Sequence, residues 1–326
     1  MSPPAKSSEC PACPERVGTE VASREAFRQE IEALWEFHLR RLRPGAPPEA
    51  LTDRLAFTQE PPLRLLACNR CGTLRRDPEE SAPVLVSRYA AEPLSGAVLG
   101  ALFQAQQTSA HQQMKRLVRL AGPRGEGMEV GFYTGAFLAA TEGSGWRFHG
   151  IDVNAGAVAF ARSLGLPAER GTLEELPAAR RYDAIAIWNC FEQLPAPRAA
   201  LLRTHELLRP GGVLALRVPS GDFYRRWRVH LDGAARALAT ALLAQNNLLG
   251  FPYRYGFTPG SLGRALRETG FRVIATHSDA LVPTACCWTR GWVGWEERAL
   301  KTLLRRLPAR AAPWFEIYAR ARDIRP

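Results

Sequence analysis

The chain has 326 residues, of which 46% are hydrophobic and 23% are charged, and its formal net charge is +11. This composition is typical of a folded globular protein, and the length suits one sizeable domain with smaller additions. No apolar run approaches the roughly 20 residues of a membrane span, and the first residues lack the apolar core of a secretion signal. We therefore expect a cytoplasmic protein. Its positive charge is compatible with nucleic acid or with an anionic small molecule as partner.

Two C-x-x-C pairs stand out in the first quarter of the chain, Cys10 with Cys13 and Cys68 with Cys71. Each pair can supply two thiolates to one ion, and four thiolates form the tetrahedral set that Zn²⁺ prefers in structural sites. We predict a zinc-ribbon-type module over 1–85, with a helix inserted between the two pairs and a structural Zn²⁺ held by the four cysteines. The alternative is four reduced thiols that bind no metal.

A connecting segment, 78–93, follows the second pair, and the next apolar residues recur at helical spacing from Ser95 to Leu120. We assign 86–122 to a helix that links the module to the rest of the chain. His111 and the neighbouring glutamines are predicted to face solvent.

Residues 127–152 show the pattern of a strand, a glycine-bearing turn, a helix and a second strand that ends in an acidic residue, Asp152. In such a βαβ unit, a carboxylate about twenty residues beyond the turn binds the hydroxyls of a ribose. The turn has only two glycines, Gly131 and Gly135, and Glu129 precedes them. An acid in this place suits a positively charged amino group better than the pyrophosphate of a dinucleotide.

This turn resembles motif I of the class I S-adenosylmethionine (SAM)-dependent methyltransferases, usually E/D-x-G-x-G-x-G, with Tyr133 where the family has its middle glycine. The resemblance implies SAM as cofactor. The alternative is an ordinary βαβ turn without a ligand. A zinc knuckle, a helix and then this turn is an order similar to that of a bacterial group of the same family.

Three later segments extend the resemblance. Residues 171–177 are similar to the segment beside the adenine ring, with Thr172 in place of the usual acid. Residues 181–195 look like motif IV, but Asn189 and Gln193 replace an acid and a histidine, so we expect no general base there. The Leu-Arg-Pro-Gly-Gly turn that ends at Gly212 is a recurrent mark of the class I fold.

The resemblance implies a Rossmann-like, doubly wound and mostly parallel α/β sheet over 123–326, with a cofactor site along its first turn. The cofactor-binding residues that it implies are Glu129, Gly131, Tyr133, Gly135, Asp152, Val153, Thr172, Leu173 and Asn189.

Residues 219–257 interrupt the alternation of strands and helices and are rich in arginine and aromatic residues. Insertions at this point lie at the carboxyl edge of the sheet, where ligands bind in open α/β folds. We predict a helical lid over the acceptor, with a helix over 233–245 and with His230, Tyr253 and Tyr255 as catalytic candidates. The alternative is an added packing layer whose aromatic residues belong to the core.

The predicted function is SAM-dependent methylation of a small-molecule acceptor, such as a natural product or a sugar, that is anionic or bound to a carrier. One alternative is an rRNA or tRNA methyltransferase. It fits the charge, but residues 189–191 lack the Asn/Asp-Pro-Pro-aromatic tetrapeptide and the Pro-Cys pair of many such enzymes. The other alternative is an inactive scaffold, because Tyr133, Asn189 and Gln193 depart from the family motifs.

Overall fold

The computed structural model describes residues 9–46, 64–79, 81–91, 95–177, 179–246, 254–280 and 288–323. Its helices and strands follow one another along the chain as β1 Gly18–Ala22, α1 Arg24–Leu39, β2 Arg64–Cys68, β3 Leu74–Asp77, α2 Ala82–Ala91, α3 Gly96–Ala121, β4 Gly125–Val130, α4 Ala136–Ala140, β5 Trp146–Asp152, α5 Ala155–Ser163, β6 Ala168–Arg170, β7 Tyr182–Trp188, α6 Pro197–Leu207, β8 Leu208–Pro219, α7 Gly221–Arg228, α8 Arg236–Asn246, β9 Tyr255–Gly256, α9 Pro259–Glu268, β10 Phe271–Asp279, α10 Gly291–Leu304 and β11 Trp314–Ala321. None of these helices is long and apolar enough to cross a bilayer.

The main sheet has seven strands in the order β10-β11-β8-β7-β4-β5-β6. Its central pairs are parallel, and β11 runs antiparallel to both of its neighbours. The apolar run 184–187 in β7 is fully buried, as expected for a strand with a helix layer on each face. The strand order reverses between β4 and β7, which opens a crevice at the carboxyl ends of these strands. The prediction of a Rossmann-like, doubly wound and mostly parallel sheet is confirmed.

A second sheet of four antiparallel strands, β1-β2-β3-β9, carries the cysteine pairs at one end. Its last strand, β9, comes from the segment predicted to be a lid. The N-terminal module is therefore built from two distant parts of the chain, and a boundary at residue 85 leaves out one of its strands.

Residues 219–246 form a packing layer instead of the predicted lid. Helix α7 begins at Gly221, where no helix was expected, and its Tyr224 lies in a buried cluster with Phe27 and Leu34 of α1. The Tyr224 hydroxyl donates to Glu30 at 2.7 Å, and Arg228 pairs with the same carboxylate at 3.1 Å. The aromatic residues of this segment therefore join the two parts of the protein.

The segment 78–93 is more than a connection, because α2 occupies most of it. This helix and the first half of α3 lie over the carboxyl edge of the main sheet, and the Asn154 side chain donates to the Tyr89 carbonyl of α2 at 2.8 Å. The two helices close the crevice that the lid was expected to cover.

Candidate functional site

A cavity of about 520 Å³ lies at the carboxyl ends of β4, β5, β7 and β8, under α2 and α3. Its volume falls in the range of small-molecule and cofactor pockets. Of the cofactor residues expected from the sequence, the structure brings eight to its wall: Glu129, Gly131, Tyr133, Asp152, Val153, Thr172, Leu173 and Asn189. Gly135 is not among the lining residues and instead begins α4.

Asp152 ends β5, and its carboxylate is held in a fixed position by the backbone. One oxygen accepts a hydrogen bond from the Tyr133 N–H at 3.0 Å, and the other accepts from the Asn154 N–H at 2.9 Å. Burial raises the pKa of Asp152, and these backbone donors oppose the rise. A carboxylate oriented in this way keeps lone pairs that can accept from two neighbouring hydroxyls.

The turn after β4 passes so close to β7 that it requires glycine at its start. A Cβ atom placed at Gly131, whose φ is +68°, would lie 2.5 Å from the Cys190 sulfur. Tyr133 has a φ of +50°, so it adopts the left-handed backbone conformation that glycine usually supplies. The tyrosine thus preserves the path of the turn, and the cavity remains open beside it.

Glu129 contributes a buried carboxyl group to the cavity wall. The residue is 3% exposed, and its Oε2 atom has no hydrogen-bond partner among the described residues. Burial and the neighbouring Asp152 carboxylate raise the pKa of Glu129 well above its ordinary value. A buried carboxyl oxygen without a partner is costly, and a cationic donor on a ligand would relieve that cost.

A buried arginine, Arg217, also lines the cavity, and it was not predicted from the sequence. Its Nη1 donates to Asn189 Oδ1, and its Nε donates to Asp279 Oδ2 at 2.6 Å. The signal was present in the sequence, because a charged residue in the apolar run 213–218 is unusual for a buried strand. Of the glutamines near His111, Gln106 and Gln113 of α3 line the cavity, which corrects the prediction for these two, whereas Gln112 is exposed as predicted.

The structure does not bring the described catalytic candidates to the cavity. Tyr255 is buried, and its hydroxyl donates to Glu79 Oε2 at 3.1 Å. His230 is exposed and packs beside Trp227, with their ring centroids 5.9 Å apart. Neither is a lining residue. Tyr253 lies outside the described residues.

The comparison with protein families decides the identity of this fold. A family model described as a methyltransferase domain matches residues 104–276, which is more than half of the chain. The chain belongs to this methyltransferase family. The prediction of a methyltransferase is therefore confirmed. No curated protein sequence gives a significant match.

Several solved methyltransferase structures are similar to this methyltransferase at low identity. The 1,6-didemethyltoxoflavin-N1-methyltransferase of Burkholderia thailandensis, with its substrate and S-adenosylhomocysteine bound, is 16% identical and has a TM-score of 0.48; the match covers 81% of this chain and 97% of that one. A SAM-dependent methyltransferase of Thermotoga maritima is 18% identical, with a TM-score of 0.43 and 67% and 90% covered. CcbJ of Streptomyces caelestis is 17% identical, with a TM-score of 0.45 and 65% and 95% covered.

The four cysteines of the methyltransferase's N-terminal module converge on one point. The sulfur atoms of Cys10 and Cys71, and those of Cys13 and Cys68, are each 3.5 Å apart, and all four lie within 4.8 Å of one another. A tetrahedral ion with metal–sulfur bonds of about 2.3 Å separates its ligands by about 3.8 Å. Burial raises the pKa of Cys13 to about 11, so deprotonating this thiol without a cation is costly.

Glu192 is fully buried in the turn after β7, and neither of its carboxyl oxygens has a hydrogen-bond partner among the described residues. Burial raises the pKa of Glu192 from 4.5 to about 8. A raised folded-state pKa gives stability that is fully present below the unfolded pKa and is lost as the pH rises through the folded pKa. The free energy of unfolding should therefore fall between about pH 4.5 and 8, by up to about 1.4 kcal/mol per pH unit from this group.

Replacing this carboxyl group by an amide tests the pH effect. Glu192→Gln should gain on the order of 3 kcal/mol relative to the wild type between pH 5.5 and 8, because the amide does not ionise. Urea unfolding at the two pH values measures the difference. If both proteins lose stability equally, Glu192 does not titrate in this range.

Proposed function

We propose that this methyltransferase binds SAM in the cavity and transfers its methyl group to a small-molecule or natural-product acceptor. The observation that carries the proposal is the pairing of two carboxyl groups at one end of the cavity. Asp152 is oriented by two backbone N–H groups, and Glu129 has a buried oxygen without a partner. A ligand with a ribose at one end and an ammonium group at the other would satisfy both.

The side chains that line the cavity match the functional groups of SAM in charge and position. Asp152 would accept from the ribose hydroxyls, Glu129 would pair with the amino group, and Thr172 and Leu173 would lie beside the adenine. The bound sulfonium supplies an activated methyl group. The task left for this chain's own residues is to orient the acceptor and to exclude water.

The cavity has an apolar wall under the two helices and offers no histidine base. Leu85 and Val86 of α2 and Leu102 of α3 line this wall, and none of the six histidines is a lining residue. An acceptor in this cavity must therefore present a lone pair without help from a base of pKa near 7. Enclosure under two helices favours a small acceptor or the end of a carrier-bound group over a folded RNA.

The cysteine cluster would hold a structural Zn²⁺. Four sulfur ligands leave no open coordination position, so the ion would take no part in methyl transfer. Its site is packed into the same buried cluster as Tyr255 and Phe257, and β3, which follows Cys71, leads to α2 over the cavity. The module would therefore brace one wall of the cavity.

Titration of the chain with SAM by calorimetry tests the proposal. Burial raises the pKa of Glu129, and the ligand's cationic amino group favours the carboxylate, so SAM binding should release a proton over the pH range in which Glu129 titrates in the free chain. The released proton appears as a heat that depends on the ionisation enthalpy of the buffer, and the affinity should rise with pH.

Glu129→Gln should bind more weakly and should release no proton from this site. No binding at millimolar SAM would contradict the proposal and would favour the scaffold alternative. Binding without proton release would remove Glu129 from the description of the site.

A further inference from the structure

Arg217 is a buried cation whose position is fixed from three sides. The residue is 1% exposed and lines the cavity at the end of β8. Its Nη2 donates to the Ala280 carbonyl at 2.9 Å, its Nε and Nη1 bind Asp279 and Asn189, and its guanidinium lies 4.7 Å from the centre of the Trp314 ring. These three hydrogen bonds use three of the five N–H donors of a guanidinium, so two donors remain for a ligand.

The charges around Arg217 do not cancel. Asp279 also accepts from Arg305 Nε at 3.1 Å, so two guanidinium groups share one carboxylate. Although burial opposes it, the two arginines lower the pKa of Asp279, which therefore stays ionised. Asn189 is neutral. This cluster carries one excess positive charge.

The acidic groups Glu316 and Glu192 do not neutralise the excess positive charge at Arg217. Glu316, which lies opposite Arg217 in the β8–β11 register, pairs with Arg116 at 2.7 Å. Glu192 is mostly protonated at neutral pH, since burial raises its pKa to about 8. Asp152 and Glu129 are the two carboxyl groups that would bind the cofactor.

We propose that Arg217 and the Asn189 amide recognise an anionic acceptor, a carboxylate carried on an apolar body. This inference rests on the proposed function and names its substrate class. The carboxylate would accept the two remaining guanidinium N–H groups and the Asn189 Nδ2–H, whose amide is oriented by the bond from Arg217 to Oδ1. The apolar body would lie against Leu85, Val86 and Leu102.

Asn189 binds Arg217 with a neutral amide, so the positive charge of Arg217 is not neutralised by this contact. Its backbone N–H donates to the Arg217 carbonyl at 3.0 Å, and Gln193 Nε2 donates to the Asn189 carbonyl at 2.6 Å, so both ends of the residue are held. An aspartate has the same shape and would accept the same bond from Arg217. It would also cancel the excess charge and remove the amide donor.

Benzoate and its neutral counterpart benzamide are suitable probes, because they differ mainly in charge. Calorimetry with the wild-type chain should show at least tenfold tighter binding of benzoate. Asn189→Asp should lose at least tenfold in benzoate affinity and stay within about twofold for benzamide. The matched control is Gln112→Glu, which adds one negative charge at an exposed position of α3 and should leave both affinities unchanged.

Equal binding of the two probes to the wild type, no binding of benzoate at millimolar concentration, or an unchanged benzoate affinity in Asn189→Asp would each overturn the proposal. If Asn189→Asp fails to fold, the ratio of the two probes on the wild-type chain decides. The titrations are run with and without S-adenosylhomocysteine. If the chain binds benzoate more tightly than benzamide but binds no S-adenosylhomocysteine, the anion site at Arg217 is supported and the proposed function is wrong.

Discussion

Replacing Asp152 by alanine should weaken SAM binding by at least about 100-fold. The two ribose hydroxyls would lose the carboxylate that accepts their hydrogen bonds, and each hydrogen bond to a charged group contributes about 1.5–3 kcal/mol. The substitution also leaves the Tyr133 and Asn154 N–H groups without their acceptor, so the turn itself would shift. Calorimetric titration of the variant with SAM measures the loss.

Two further variants separate the roles of Asp152. Asp152→Asn keeps one carbonyl oxygen for the backbone and should lose about tenfold in affinity. Asp183→Asn is the matched control, since Asp183 lies near the amino end of β7 and pairs with Arg209 at 2.6 Å, away from the cavity. An Asp152→Ala variant that binds SAM as tightly as the wild type would contradict the role given to this carboxylate.

Cys68→Ser should remove the metal ion and destabilise the chain by more than about 4 kcal/mol, because loss of a metal ligand is among the few changes with effects of that size. For a chain of this size the unfolding temperature would fall by at least about 6 °C. Elemental analysis should find one zinc per wild-type chain and none in the variant, and thermal unfolding measures the destabilisation.

Cys190→Ser is the matched control, because Cys190 lies at the cavity and outside the cysteine cluster. It should retain its zinc. A wild-type chain without metal whose unfolding is insensitive to Cys68→Ser would show that the four cysteines are reduced thiols, as in the alternative considered from the sequence.

The parts of this protein that the sequence predicts well are those set by local patterns. Buried parallel strands appear as continuous apolar runs, so the 127–152 unit could be located to within about two residues. The two cysteine pairs could be assigned to one metal site because two C-x-x-C knuckles together supply the four thiolates of a structural zinc site.

The lid was mispredicted because composition does not reveal what an aromatic segment packs against. Tyr224 finds its partner in Glu30, 194 residues earlier, and β9 pairs with a strand of the N-terminal module. Helix α2 was missed although Pro83 stands in its first turn, where proline favours a helix start. Arg217 was missed because its importance depends on two residues that are distant in sequence, Asn189 directly after β7 and Asp279 at the end of β10.

A crystal structure of the chain with S-adenosylhomocysteine would show whether the cavity holds the cofactor as proposed. We expect the ribose hydroxyls within hydrogen-bond distance of the Asp152 carboxylate, the amino group beside Glu129 and the Tyr133 side chain at the edge of the ligand. A ligand bound elsewhere, or a Tyr133 ring that occupies the place of the amino-acid tail, would contradict it.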